Sequence, residues 1–418
     1  MKVRLFTLAA AAAITLTSQG VAQQNDSLER ALADLNSGLT APAGNGGVAI
    51  AGDFRARNRW HKSDDANATN NRDVDTRARL TFTFNVTESS TAFVGFNGRE
   101  SWGDGGFGTT PGSFDDPVDA FQLTRSWVSV DSLFGEGGTS KIGRDYYTAG
   151  SGRILGTDEW DNRPATQSGI WFSHPAGGVN FSFAMLNGVE RGFGSTAPSP
   201  TSLLDEGDDM VYIVGLDWVC DYVEQLGPMH VAPYWIRNED TGAEFATWLG
   251  ILFSGELMGF GYEAEYAAYD MGAVDGDAWY ISTSLDLDAL ESIPGVDNGG
   301  LDIALSSSDD MFATTGTTRY HNAAGFSDRL GAGGLWTADT DTWQVGLSFS
   351  PAEGWTGRVA VANVETGATE WDEIDVSVGT TFGGNVEGWF GYAMVDAKQG
   401  AFGDEDTFWA VLDLGFGQ

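Results

Sequence analysis

From Gly46 to the end of the chain, apolar and polar residues alternate with a period of two. In VAIAGDFRARNRW, Val48, Ile50, Phe54 and Trp60 share one side, while Asp53, Arg55, Arg57 and Arg59 share the other. TRARLTFTFNV sets Ala78, Leu80, Phe82, Phe84 and Val86 against Arg77, Arg79, Thr81, Thr83 and Asn85. The alternation returns in NFSFAML, FGYEAEY, TWQVGLSF and EIDVSVGTTF. Side chains of an extended strand point to opposite faces in turn, so each stretch predicts a strand with one apolar and one polar face. The last stretch, TFWAVLDLGFGQ, places Phe408, Ala410, Leu412, Leu414 and Phe416 opposite Trp409, Val411, Asp413 and Gly415, as a closing barrel strand would.

The connections alternate as well. HPAGG (174–178), SGELMG (254–259), SPAEG (350–354) and GGN (383–385) read as tight hairpin turns. Longer, polar and acidic loops lie between them, at 103–119, 188–209, 270–277, 309–339 and 396–406. Short turns at one end and long loops at the other are the asymmetry of an outer-membrane β-barrel. Trp60, Trp102, Trp127, Trp343, Trp355 and Trp389 fall near strand ends, where an aromatic girdle would sit. The expectation is an all-β fold over residues 46–418, a transmembrane antiparallel β-barrel of 16–18 strands, about 18. A secreted sandwich or propeller would also alternate, but the stacked arginines of the polar face and the lack of a fixed repeat oppose it.

Two short segments precede the barrel. Lys2 and Arg4, the apolar run from Leu5 to Leu16 and the small residues Gly20 to Ala22 predict a signal peptide over 1–22. NDSLERALADLNSGL has capping-box spacing at Asp26 and Glu29 and an apolar face of Leu28, Ala31, Leu32 and Leu35. It predicts a short N-terminal helix in a periplasmic segment over 23–45. No apolar run reaches the ~18 residues of a membrane helix, a test that barrel strands escape.

Composition then narrows the function. The formal net charge is −37, which opposes nucleic-acid binding. The single cysteine, Cys220, excludes an internal disulfide framework and a Cys-rich zinc site. His61, His174, His230 and His321 have no metal-ligand spacing, and no GxSxG elbow occurs, so neither a catalytic site nor a cofactor is expected.

The cations are unevenly placed. Past the signal peptide, 14 Lys and Arg residues lie up to Arg163 and only 6 follow. A charge on the lipid side of a barrel costs ~2–4 kcal/mol at the midplane, so these residues should face the lumen. The expected lumen residues are Arg55, Arg57, Arg59, Arg77, Arg79, Arg99, Arg125, Arg144 and Arg153. A purely structural row of ion pairs with Asp53, Asp145 and Glu263 is the competing reading. In KIGRDYYTAGSGRILGTDEWDNRP the glycines at 143, 150, 152 and 156 can bend a strand or let a loop fold back into the lumen. A phosphate loop is excluded, because no Gly-Lys-Ser/Thr and no following helix is present.

AGDFRARNRW, TRARLTFTFNVTESSTAFVGFNGRESWGD, FQLTRSWVSVDSLFG and KIGRDYYTAGSGRILGTDEW, in that order, resemble the alginate-export porin family over residues 46–164. The resemblance implies an outer-membrane barrel with arginines along an anion-conducting pore. By motif match it places Arg55, Arg57, Arg77, Arg79, Arg144 and Arg153 in the lumen. The expected function is a channel for small hydrophilic, anionic solutes. Its partners would be outer-membrane lipids, those solutes and the barrel-assembly machinery, with an oligomer possible. The alternative is a structural or adhesive barrel whose acidic stretches DDPVD (115–119) and DEGDD (205–209) hold divalent cations.

Overall fold

The computed structural model describes residues 47–417, apart from 65–69, 104–121, 134, 158–165, 191–209, 221–227, 240–244, 258–259, 288–298, 310–311, 313, 315–335, 337–338, 368, 384 and 401–402. The signal peptide over 1–22 and the helix expected within 23–45 lie outside the described residues.

Eighteen strands follow one another in chain order. They are β1 Val48–Ser63, β2 Asn71–Thr87, β3 Ser90–Gly103, β4 Gln122–Asp131, β5 Thr139–Asp145 and β6 Thr166–Ala176. Next come β7 Val179–Glu190, β8 Met210–Cys220, β9 Met229–Glu239, β10 Ala246–Leu257, β11 Phe260–Met271 and β12 Val274–Asp286. The last are β13 Gly300–Ser308, β14 Thr340–Phe349, β15 Trp355–Thr366, β16 Thr369–Phe382, β17 Val386–Gln399 and β18 Glu405–Phe416. Each pairs antiparallel with its chain neighbours, and β1 also pairs with β18, so the sheet closes on itself. Closure removes both sheet edges, the requirement for crossing lipid with strands.

The outer face is apolar and open. Phe54, Leu123, Ile142, Ile170, Leu249, Ile281, Leu305, Val345, Ile374 and Leu412 are all exposed. In water this belt would be an aggregation surface, and in a bilayer it is the lipid contact. Trp60, Trp343, Tyr266 and Trp279 are exposed on the same face. Trp127 and Trp389 depart from the girdle expectation. Trp127 stacks face to face on Phe93 at 5.1 Å within the barrel, and Trp389 stands opposite Gly379 and Val411 on the inward columns.

The strand ends that flank the four tight turns expected from sequence all lie at one rim, and those that flank the stretches 103–119, 188–209 and 309–339 lie at the other. Two of the expected loops are shorter than the sequence implied. β11 and β12 run on to Met271 and Val274, and β17 and β18 to Gln399 and Glu405, so acidic residues there stand on strand ends.

Candidate functional site: a charged lumen wall and an infolded loop

Register builds the wall. Across β18, β1, β2 and β3 one row reads Asp413, Arg55, Arg77, Arg99. The adjacent rows read Gly415, Asp53, Arg79, Asn97 and Val411, Arg57, Asp75, Ser101, and the next is Trp409, Arg59, Asp73. Residues two apart share a face, so alternation on each strand and pairing between strands gather these charges on one inner surface.

Most of the charge is locked in pairs. Arg57 grips Asp75 as a fork, with Nη2 to Oδ2 at 2.6 Å and Nε to Oδ1 at 2.9 Å. Arg59 donates to Asp73 at 2.9 Å. Asp53 accepts from Arg79 at 2.5 Å and from Arg77 at 3.3 Å. The guanidinium carbons of Arg57 and Arg59 lie 5.9 and 5.8 Å from the centre of the Trp409 ring. Arg55, Arg57 and Arg77 are only 5, 3 and 4% exposed. In this part of the wall Arg57, Arg59 and Arg77 are tied to carboxylates, and buried Arg55 stands in the row between Asp413 and Arg77.

A second group reaches water. The side chains of Arg79, Arg125 and Lys141 are 23, 23 and 29% exposed. Among the described residues, Asp145 is the one carboxylate that pairs with both Arg125 at 2.5 Å and Lys141 at 2.7 Å. Arg125 is sandwiched between Phe93 at 4.5 Å and Tyr146 at 4.3 Å, and Lys141 lies 4.4 Å from the Trp127 ring. Lys141 is absent from the residues expected on the wall, although its alternation with Gly143 and Asp145 on β5 carried the signal.

Facing the wall is a loop that folds into the barrel after β5. Residues 146–157 form a small knot closed by the bridge between Ala149 and Leu155. Ile154 and Leu155 are fully buried against inward residues of β7 to β10, among them Leu186, Ile213, Ile236 and Trp248. Phe312 and Trp336 join the same apolar interior from the connection between β13 and β14. Arg153 pins the knot across the lumen. Its Nη1 lies 2.8 Å from Glu263 and 3.0 Å from Glu265, and its guanidinium sits 3.4 Å from the Tyr280 ring. Ser151 hydrogen bonds Glu265, and the Tyr234 hydroxyl donates to Glu265 at 2.9 Å. Gly150, with φ +57°, makes the close approach possible. A Cβ there would stand 2.5 Å from Tyr234 Cε1 and 2.6 Å from Glu265 Oε1.

The structure thus brings Arg55, Arg57, Arg59, Arg77, Arg79 and Arg125 onto one inner wall and puts Arg153 in a buried anchor. Arg99 stands opposite Arg77 in the register, and its side chain lies outside the described residues. Arg144 is a correction. It shares its column with exposed Ile142, and both face outward, because Lys141, Gly143 and Asp145 take the inward face of β5. Its Nε donates to Ser168 Oγ at 3.2 Å on the outer surface.

No family model and no curated protein matches this sequence. Among solved structures it is similar to Pseudomonas aeruginosa OccK9 (OpdG), with 13% identity, a TM-score of 0.63, and coverage of 88% of this chain and 98% of that one. OccK3 (OpdO) from the same organism gives 12% identity and a TM-score of 0.60 over 92% of this chain and 99% of that chain. OpdK solved with vanillate gives 14% identity and 0.60 over 88% and 98%. At such identity the likeness is one of fold. It is a likeness to OccK and OpdK barrels in architecture alone, and the narrower alginate-export resemblance gains nothing from it.

Proposed function

We propose that this chain is an outer-membrane channel through which small hydrophilic anions diffuse. The observation that carries the reading is the group Arg79, Arg125 and Lys141, part-exposed on the inner wall and facing a lumen narrowed by residues 146–157. Guanidinium forks suit carboxylate and phosphate, and an aromatic base of Phe93, Trp127 and Tyr146 suits a solute with a flat apolar part. The fold-level likeness to a barrel solved with vanillate, an aromatic carboxylate, agrees with this chemistry. Selectivity in such a channel comes from width and lumen charge, and no chemical step is needed. Barrel-assembly machinery would insert it, and its signal peptide would direct it to the envelope.

The competing structural reading has its own support in the buried pairs of Arg57 with Asp75 and Arg153 with Glu265. We assign those pairs to holding the barrel and its knot, and the part-exposed cations to the solute path. The test is uptake into proteoliposomes of benzoate-type carboxylates and of amines of equal size. Faster entry of the carboxylates supports the proposal. Equal rates, or no entry of either, would overturn it and favour the structural barrel.

A further inference from the structure

Two lumen cations share a carboxylate that belongs to the chain itself. Asp145, the last residue of β5, lies 2.5 Å from Arg125 Nε and 2.7 Å from Lys141 Nζ. The carboxylate is the buried end of this group, with Asp145 4% exposed, and the cations are the ends that reach water. Among the described residues Arg125 hydrogen bonds Asp145 through Nε alone, so its Nη edge is not used by the pair. Aromatic rings hold both cations in place. Phe93 and Tyr146 lie 4.5 and 4.3 Å from the Arg125 guanidinium carbon, and Trp127 and Trp171 lie 4.4 and 5.9 Å from Lys141 Nζ. Gly95 stands opposite Arg125 in the register, and a Cβ there would lie 3.0 Å from Phe93 Cε1 and 3.3 Å from Arg125 Cβ. Glycine at this position gives the ring and the arginine their room. The cations therefore have supports besides the ion pair.

We propose that Asp145 is a tethered competitor. Its carboxylate fills the seat between Arg125 and Lys141 that a solute carboxylate takes in passage, and so keeps solute binding weak. The inference rests on the anion-channel reading above and adds what sets the dwell time of the solute. A carboxylate that arrives at the Nη edge of Arg125 meets the donor chemistry that already holds Asp145. It gains both cations only by displacing Asp145. A channel conducts when its site is strong enough to admit a solute and weak enough to release it. Two cations without a carboxylate would hold an anion too long, whereas two cations with one built-in carboxylate keep a single positive charge and a seat already filled. Exposure separates this group from a structural pair. The side chains of Arg57 and Asp75 are 3 and 1% exposed, while a pair whose cations reach water contributes little to folding.

Single channels of the full barrel in planar bilayers, with benzoate added to one side, report dwell time through current noise. Asp145→Asn should lengthen the benzoate dwell about tenfold, the scale of one hydrogen bond between charged groups that is no longer contested. The benzoate concentration that half-saturates the current should fall with it. Heat-dependent gel mobility equal to wild type shows that the variant is folded. Asp145→Asn combined with Lys141→Gln removes one charge of each sign, so the local net charge stays that of wild type. Tethered competition predicts a longer dwell than wild type for this double variant too, and it replaces the single variant if that one does not fold. A dwell unchanged by Asp145→Asn overturns the proposal. So does a double variant with wild-type dwell, since net charge alone would then account for the effect. Failure of both variants to fold makes Asp145 a structural residue and overturns it as well. A wild-type barrel that passes no carboxylate refutes the channel reading and this one with it, whereas a barrel that passes benzoate with a dwell indifferent to Asp145 refutes only the competitor.

Discussion

Arg57 and Arg79 look alike in sequence and differ in consequence. Arg57 is 3% exposed and forked onto Asp75, so Arg57→Gln strands a buried carboxylate and should cost about 3 kcal/mol or more. Heat-modifiable gel shift against urea reads this directly, and the variant should unfold at clearly lower denaturant. Arg79 is part-exposed and shares Asp53 with Arg77, so Arg79→Gln should leave folding nearly intact. Measured side by side, equal losses would erase the distinction between the two parts of the wall. Sequence gave the shared face of Arg55, Arg57, Arg77 and Arg79, because residues two apart and neighbouring strands fix it. It could not say which pairs close, since burial depends on Trp409 arriving from the far end of the chain. Arg144 was misread because a motif resemblance outweighed the strand's own alternation, and a shift of one residue moves a side chain from water-filled lumen to lipid.

At the scale of elements, the knot at 146–157 packs inside the barrel, and in the proposed channel it would set the width of the passage. Its glycines were legible as a fold-back, but its landing place on Glu265 and Tyr234, more than 80 residues away in sequence, was not. The apolar interior of β7 to β10 was equally hidden, since Val211, Ile213 and Ile236 face inward where a polar wall was expected. Gly150→Val would drive a branched side chain into Tyr234 and Glu265, and should release the knot and raise single-channel conductance while the barrel still forms. Conductance equal to wild type would mean that the knot does not narrow the pore. At the loop-bearing rim, Asp277 hydrogen bonds Asp309, which holds its pKa above the ordinary carboxylate value. The folded chain then binds that proton more tightly than the unfolded chain, so the added stability is present in acid and is lost as pH rises through the raised pKa. Asp277→Asn keeps a hydrogen-bond donor without the charge, so it should raise thermal stability slightly at neutral pH and leave it unchanged in acid. A melting series across pH that showed no such difference would contradict the shared proton.

For the whole molecule, a chain of net charge −37 gathers part-exposed Arg79, Arg125 and Lys141 on β2, β4 and β5 of its inner wall. Acidic strand ends at Asp270, Asp275 and Asp277 and at Glu405 and Asp406 crowd the loop-bearing rim, while the stretches 115–119 and 205–209 lie outside the described residues. The antiparallel barrel itself could be read from period two and from the alternation of short and long connections. The expected count of about 18 strands is the observed one, and the structure narrows the range of 16–18 to 18, with β11 and β12 closing in a tight turn where a loop was expected. The account stands or falls on whether the wall selects anions. In planar bilayers under a potassium chloride gradient, the reversal potential of wild type should lie on the chloride side, and Arg79→Gln with Arg125→Gln should move it toward potassium. A wild-type channel selective for potassium, or a double variant with an unmoved reversal potential, would contradict it.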